Sequence, residues 1–386
     1  MNMKSHRYFY RICIISCMCC SLIALSGCRS EMMHSSNEKG DVSSESYEID
    51  KTSIKTMLNT TPKHIKKNLG KNISIDAEVI VPKVEEAPAF IGKHILIDEE
   101  YFVDKFFKNR KPEIKETERQ MINEVEKIKI YTIENEEMVV GSGSVVYSKG
   151  NILEKYTLPI YNREAHGVLD VYSNGNLEFM SREEAIGNVE EILSRNGVSI
   201  YGEAKVYALT AEKMKQEQEK AISENENVKQ QIKEGYLKKQ EFVKDDECYV
   251  LFFRSEVNNI PITQDLYLDE VSGRVVEGIN TEVWINKDGI ISLIISNVVE
   301  KLSELENPEN LLSVDEAMSK LQQRYDSVIT DNKMNFNEIT LEYVGIPDGK
   351  KVTEIKFVPT WCFNRKERRP NEQSSMRVNA VTGEVF

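Results

Sequence analysis

Beyond residue 28 this 386-residue chain has only two cysteines, Cys248 and Cys362, and histidine occurs five times in the whole sequence. That scarcity removes several chemistries. No C-x-x-C follows residue 28, and no H-E-x-x-H occurs. No two histidines have the i, i+4 spacing that sets two metal ligands on one helix face. A G-x-S-x-G nucleophile elbow is also missing. Gly141-Ser-Gly-Ser144 is glycine-rich but lacks the lysine and following helix of a phosphate loop, so it reads as a bend between apolar strand pieces. After residue 25 no apolar run approaches the length of a membrane span. The expectation is a non-enzymatic protein with no metal and no cofactor. A lone acid or base role for His166 is weaker than an unremarkable loop histidine.

Positive charge is in deficit as well. Lys and Arg number 50 against 63 Asp and Glu, for a formal net charge of −13. A chain this acidic is a poor nucleic-acid binder. Abundant carboxylates leave open a paired-carboxylate hydrolase of wall sugars, although most must be solvated surface.

The other five cysteines crowd into residues 13–28. Lys4, Arg7 and Arg11 form a basic start, and an apolar run from Ile12 to Leu25 follows. That run has the length of a signal-peptide core. It ends in Leu25-Ser26-Gly27-Cys28, which resembles the lipobox of bacterial lipoproteins. The resemblance implies cleavage between Gly27 and Cys28 and a diacylglyceryl thioether on Cys28. Two acyl chains meet the requirement for stable anchoring that one chain does not. Localisation on the outer face of the cytoplasmic membrane of a Gram-positive cell follows as an expectation. Removal of residues 1–27 takes away three cations and no acid, leaving the remainder more acidic still.

Residues 29–50 are Ser- and Glu-rich with little to bury, the composition of a disordered tether. At about 5–6 Å times the square root of length, its mean reach is roughly 25 Å. Lys51, Lys55, Lys63, Lys66, Lys67 and Lys71 follow, either a solvated linker or a contact for anionic lipid or wall polymer.

Beyond the linker the patterning is α+β. Ile73, Ile75, Ala77, Val79 and Val81 alternate as in a half-buried strand. Asp98 can cap a helix through Tyr101, Phe102, Phe106 and Phe107. Residues 127–133 and 138–148 read as strands, and Asn174-Gly175 signals a hairpin within 168–180. Ser181-Arg-Glu-Glu-Ala185 and Ser313-Val-Asp-Glu-Ala317 each fit a capping box. Their registers continue: Ala185, Val189 and Leu193 correspond to Ala317, Leu321 and Tyr325. Further on, Leu268-Asp-Glu-Val-Ser-Gly-Arg-Val275 echoes Val378-Asn-Ala-Val-Thr-Gly-Glu-Val385, with Gly273 and Gly383 placed for a tight turn. Together these predict antiparallel sheets, each packed by one or two helices, with an internal duplication. The predicted order is signal peptide 1–27, tether and linker 28–70, an N-terminal α+β domain 71–180, a first unit 181–300 and a second unit 301–386. A charged helical insertion, 211–245, sits in the first unit. Its Val228, Ile232 and Tyr236 form a thin apolar stripe that would dock on its own domain or a partner.

The S-x-[DE]-E-A helix start and the strand closing on V-[ST]-G-x-V resemble PepSY-type domains. Residues 359–363, PTWCF, followed by MRVNAVTGEVF, are similar to the YycH/YycI-type extracytoplasmic regulators of the WalK sensor kinase. The layout as a whole resembles clostridial lipoproteins carrying a domain of unknown function. The resemblance implies regulation, or inhibition or chaperoning of an exported protease. Those kinase regulators use a transmembrane anchor, whereas this chain carries a lipobox, and a lipid in one leaflet cannot itself carry a signal inward.

Two further sites are expected. Cys248 and Cys362 lie in apolar strand-like sequence and could form a disulfide across the two units, or stay as buried thiols. Arg365, Lys366, Arg368 and Arg369 make the densest basic patch, suited to an anionic wall polymer or acidic partner, or to solubilising a hairpin tip. The expected partners are therefore the membrane, through the N-terminal lipid, and an envelope protein, peptide or wall polymer.

Overall fold

The computed structural model describes residues 53–386, apart from 121–124, 162–167, 266, 270–273, 277, 306, 327–332, 348–353 and 366–374. In chain order it begins with α1 (Ile54–Thr60), β1 (His64–Leu69), β2 (Ile73–Ile80), β3 (Phe90–His94) and α2 (Glu99–Phe107). Strands β4 (Glu113–Gln120), β5 (Val125–Ile133), β6 (Glu136–Gly141) and β7 (Ser144–Lys149) lead to α3 (Gly150–Tyr156). Then come α4 (Arg182–Arg195), β8 (Lys205–Leu209), α5 (Ala211–Glu224), α6 (Glu226–Lys233) and β9 (Cys248–Phe253). Short hairpins β10–β11 (Glu256–Val257, Ile260–Pro261) and β12–β13 (Tyr267–Asp269, Arg274–Val276) precede β14 (Asn280–Asn286), β15 (Gly289–Ser296) and β16 (Val299–Glu304). The chain closes with α7 (Val314–Asp326), β17 (Met334–Pro347), β18 (Glu354–Asn364) and β19 (Ser375–Asn379).

Two large sheets organise these elements, and the class is α+β. The first runs β1-β2-β17-β18-β3-β16. Strand β18 is long enough for two partners on one edge: residues 354–357 pair with β3, and 360–364 with β19. Within this sheet only β2 and β17 are parallel. The second sheet, β4-β5-β6-β7-β15-β14-β9-β8, is antiparallel throughout.

This pairing corrects the sequential domain boundaries. Strands of 64–94 lie between and beside strands of 299–379, and the β4–β7 meander joins β15. The described chain forms one compact unit. Residues 54–69, expected as linker, form a helix and a strand because Ile54, Met57, Leu58, Ile65 and Leu69 enter the main core. Three lysines of this segment meet acids on their neighbours: Lys66 with Asp76 at 2.6 Å, Lys67 with Asp315 at 3.6 Å, and Lys55 with Glu85.

A backbone clip joins the sheets. Ile95 donates to Val298, Val298 to Gly143, and Gly143 to Ile95, at 3.0, 2.9 and 2.9 Å. Gly143 has φ +64°, and a Cβ there would stand 2.5 Å from the Val298 carbonyl oxygen. The glycine-rich 141–144 bend is thus where the two sheets meet.

Both repeat-like helices form with the expected serine N-cap, but only the second shows the reciprocal box. Ser181 Oγ accepts from the Glu184 amide at 3.1 Å, and α4 buries Ala185, Val189, Ile192 and Leu193. Ser313 Oγ accepts from Glu316 N while Glu316 Oε2 accepts from Ser313 N, a reciprocal box, and α7 buries Val314, Ala317, Met318 and Leu321. Tyr325 is half-buried. The glycine echo also recurs: Leu268 pairs with Val275, and Val378 with Val385. Its setting differs, because Val378 belongs to a strand of the first sheet whereas β12–β13 stands apart from the second.

Residues 168–180 depart from the predicted hairpin. They form a 3₁₀ turn at Val168–Val171 and isolated bridges, Ser173 to Ala208 and Leu177 to Met180. Burial of Leu169, Tyr172 and Leu177 overrides the Asn-Gly turn signal. The insertion docks on its own fold: Met214 and Phe242 enter the smaller core and Lys287 donates to Asp245 at 2.6 Å, while Gln218 exchanges hydrogen bonds with the Gln240 backbone inside the insertion. Its expected stripe is broken, since α6 ends at Lys233 and Tyr236 beyond it is 62 % exposed.

Candidate functional site

Alternation in the C-terminal strands produces an unusual surface. Ile339, Leu341 and Tyr343 of β17, Trp361 and Phe363 of β18, and Met376 and Val378 of β19 face the main core. Their alternates are Thr340, Glu342 and Val344, then Val358, Thr360 and Cys362, then Ser375, Arg377 and Asn379. These are buried too, yet mostly polar. Segment 254–265 supplies charge to this face. Arg254, just past β9, reaches Glu342 at 2.9 Å and lies over the Tyr201 ring. Asp265 accepts from Ser375 Oγ at 3.2 Å and stands 4.0 Å from the Arg377 guanidinium. Val276 of β13 and the terminal Phe386 pack on Val344 and Cys362.

Two guanidinium groups thus meet two carboxylates in a charge-compensated cluster. Both pairs tie segment 254–265, which follows the second sheet's β9, to the first sheet. Burial pushes the Cys362 thiol well up, reinforced by Glu342 and opposed by Arg377. A thiol so placed is not a nucleophile. Sequence reading missed the cluster because its members are spread over 254–377; the faint signal is polar residues alternating with large apolar ones in β17–β19.

Of the two readings of Cys248 and Cys362, the structure has the buried thiols and not the disulfide: both are free and buried. The reason is topological. Cys248 lies in β9 of the second sheet, in the core with Tyr156, Met214 and Trp284, and Cys362 lies in β18 of the first. Burial also raises the Cys248 pKa. Arg365 is half-buried at the end of β18. Lys366, Arg368 and Arg369 lie outside the described residues, as do Gly27, Cys28, His166 and Gly273.

Carboxylates gather in a groove of about 370 Å³ between α2 and β4–β5, lined by Glu99, Glu100, Asp104, Arg110, Ile114 and Tyr131 among others. Burial would raise the Glu99 pKa, but hydrogen bonds from Tyr131 and Lys129 outweigh it and hold it low. Arg110 donates two bonds to Glu136, at 2.9 and 2.8 Å, and Tyr147 a third, keeping Glu136 ionised. Bases so engaged serve as structural ion pairs. Glycosidic acid catalysis needs a carboxyl that retains its proton. Burial does raise Glu256, on β10. Among the described residues no cluster of metal-ligating side chains occurs, and no helix is long and apolar enough to cross a membrane.

No protein-family model matches the chain, and no curated protein matches it. Among solved structures, the crystal structure of an uncharacterized protein from Eubacterium rectale is similar over 84% of this chain and 93% of that one. The TM-score is 0.57 at 17% identity, so the likeness is one of fold.

Proposed function

We propose that this chain is a lipoprotein, held through Cys28 on the outer face of a Gram-positive cytoplasmic membrane. There it acts as a non-enzymatic binding or regulatory module for an envelope partner. The observation that carries this reading is Leu25-Ser26-Gly27-Cys28 at the end of an apolar run with a basic start. The Ser- and Glu-rich composition of residues 29–50 supports it, since a flexible tether of that composition would give the folded body room to reach a partner. The PepSY-like and YycI-like motifs support a regulatory role by analogy alone.

Crosslinking the protein in its native membrane, followed by recovery under denaturing conditions, tests the reading. A defined envelope protein or wall fragment captured by the wild type and lost with Cys28→Ala is expected. Equal capture by both forms, or turnover of wall fragments abolished by one Asp or Glu substitution, would contradict it.

A further inference from the structure

The edge of the second sheet at β8 carries a built recess. Antiparallel pairing to β9 directs alternate backbone groups of β8 outward. The Ala208 amide is one of these, and it donates to Ser173 O at 2.7 Å. Two residues earlier, the N–H and C=O of Val206 must therefore point to the same outer edge. Among the described residues no backbone hydrogen bond engages Val206 there. Beside that edge lies a recess of about 210 Å³ lined by Asn174, Arg182, Ala204, Lys205, Val206 and Tyr207.

The recess is cationic in a chain of formal charge −13. Arg182 and Lys205 both line it. The Arg182 Nε is sealed from solvent without a hydrogen-bond acceptor. Its NH1 has only a long contact, 3.8 Å, with the exposed Glu183. Arg182 is also the first residue of α4, whose amide dipoles add positive potential at that end. Its backbone amide is already taken by Asn176 Oδ1 at 2.8 Å, so the part of Arg182 that a ligand can reach is the guanidinium end of its 27 % exposed side chain, not the helix end or the sealed Nε.

We propose that this recess binds the C-terminal end of an extended peptide, which adds to β8 as a short strand and places its carboxylate against Arg182 and Lys205. Pairing with Val206 supplies the backbone bonds of strand addition. The free edge is short, because Ser173 already occupies it at Ala208. A strand entering from the open side must stop there, which favours a chain end over a through-running segment. The guanidinium fork then matches a terminal carboxylate. This inference rests on the binding-module reading and gives it a site and a ligand class.

The test uses full-length protein in nanodiscs, labelled with ¹⁵N-valine, and the probe N-acetyl-trialanine as the free acid or the C-terminal carboxamide. Saturable movement of the Val206 amide resonance with the acid is expected. Arg182→Gln, and replacement of the acid by the carboxamide, should each weaken binding about tenfold, the size of one charge-assisted bond. Lys205→Gln, on an exposed side chain, should weaken it with an unchanged valine spectrum, which guards against a misfolded Arg182 variant. An unmoved Val206 at millimolar acid, or equal response to acid and carboxamide, would overturn the proposal. So would inorganic phosphate competing fully while Val206 stays unmoved by the peptide, for that describes a bare anion site. Cys28→Ala protein should bind the peptide equally well, so a failure here is separable from a failure of the anchoring reading.

Discussion

Residues 301–386 look by sequence like a self-contained unit, with a capped helix, a tryptophan strand and a closing turn. The sheet order argues that they cannot fold alone. In the intact chain β17 leans on β2, through Ile73, Ile75 and Val79, and β18 leans on β3, through Phe90. All four side chains are buried, Phe90 completely. Phe90 meets the Tyr343 ring edge-on at 4.9 Å and stacks on Phe357 at 4.8 Å. At about 1.5–3 kcal/mol for each large apolar side chain, losing these four removes roughly 6–12 kcal/mol. A whole domain is stable by only about 5–15 kcal/mol. Excised 301–386 is therefore expected to give a collapsed amide spectrum and no cooperative urea transition. Adding residues 53–94 in trans should restore dispersion in part. A well-dispersed spectrum with a sharp transition for 301–386 alone would refute the reasoning.

Other outcomes follow from single sites. Gly143→Ala forces a side chain into positive φ and against the Val298 carbonyl, so urea titration should show a loss of at least about 1–3 kcal/mol. Glu136, bonded by Arg110, has a folded pKa below its ordinary 4.5 despite partial burial. Its contribution is present above that value and fades as pH falls through the lower folded pKa. Stability measured below pH about 4.5 should thus decline more steeply in wild type than in Glu136→Gln. Cys248 and Cys362 should resist a thiol reagent in native protein and react after denaturation, as peptide mass would show; a bridged pair would react in neither state.

Local chemistry was legible where it acts over a few residues. Asp98 caps α2 through the Tyr101 amide, Ser181 and Ser313 cap their helices, and Ile73 to Val79 alternate as read. Strand β9 shows why other features were not. Its CYVLFF run has no period of two, because Tyr249, Leu251 and Phe253 fill the main core while Cys248 and Val250 fill the smaller one. A run buried on both faces gives no clue to its partners. Sheet membership was illegible for the same reason: β2 pairs in parallel with a strand more than 250 residues away, set by packing rather than by any local turn. The β8 recess also escaped notice, since Asn174, Arg182 and Lys205 are spread over residues 174–205 of the sequence and line one recess only in the fold.

The central claim is that Cys28 carries the anchor, and one measurement reaches it directly. Membrane-extracted protein would be digested and its N-terminal peptide weighed before and after alkaline hydrolysis of acyl esters. The expected result is a peptide beginning at Cys28 with a diacylglyceryl thioether that loses its acyl mass on hydrolysis. A peptide that retains Met1 or other residues before Cys28, or one with an unmodified thiol at position 28, would contradict the account.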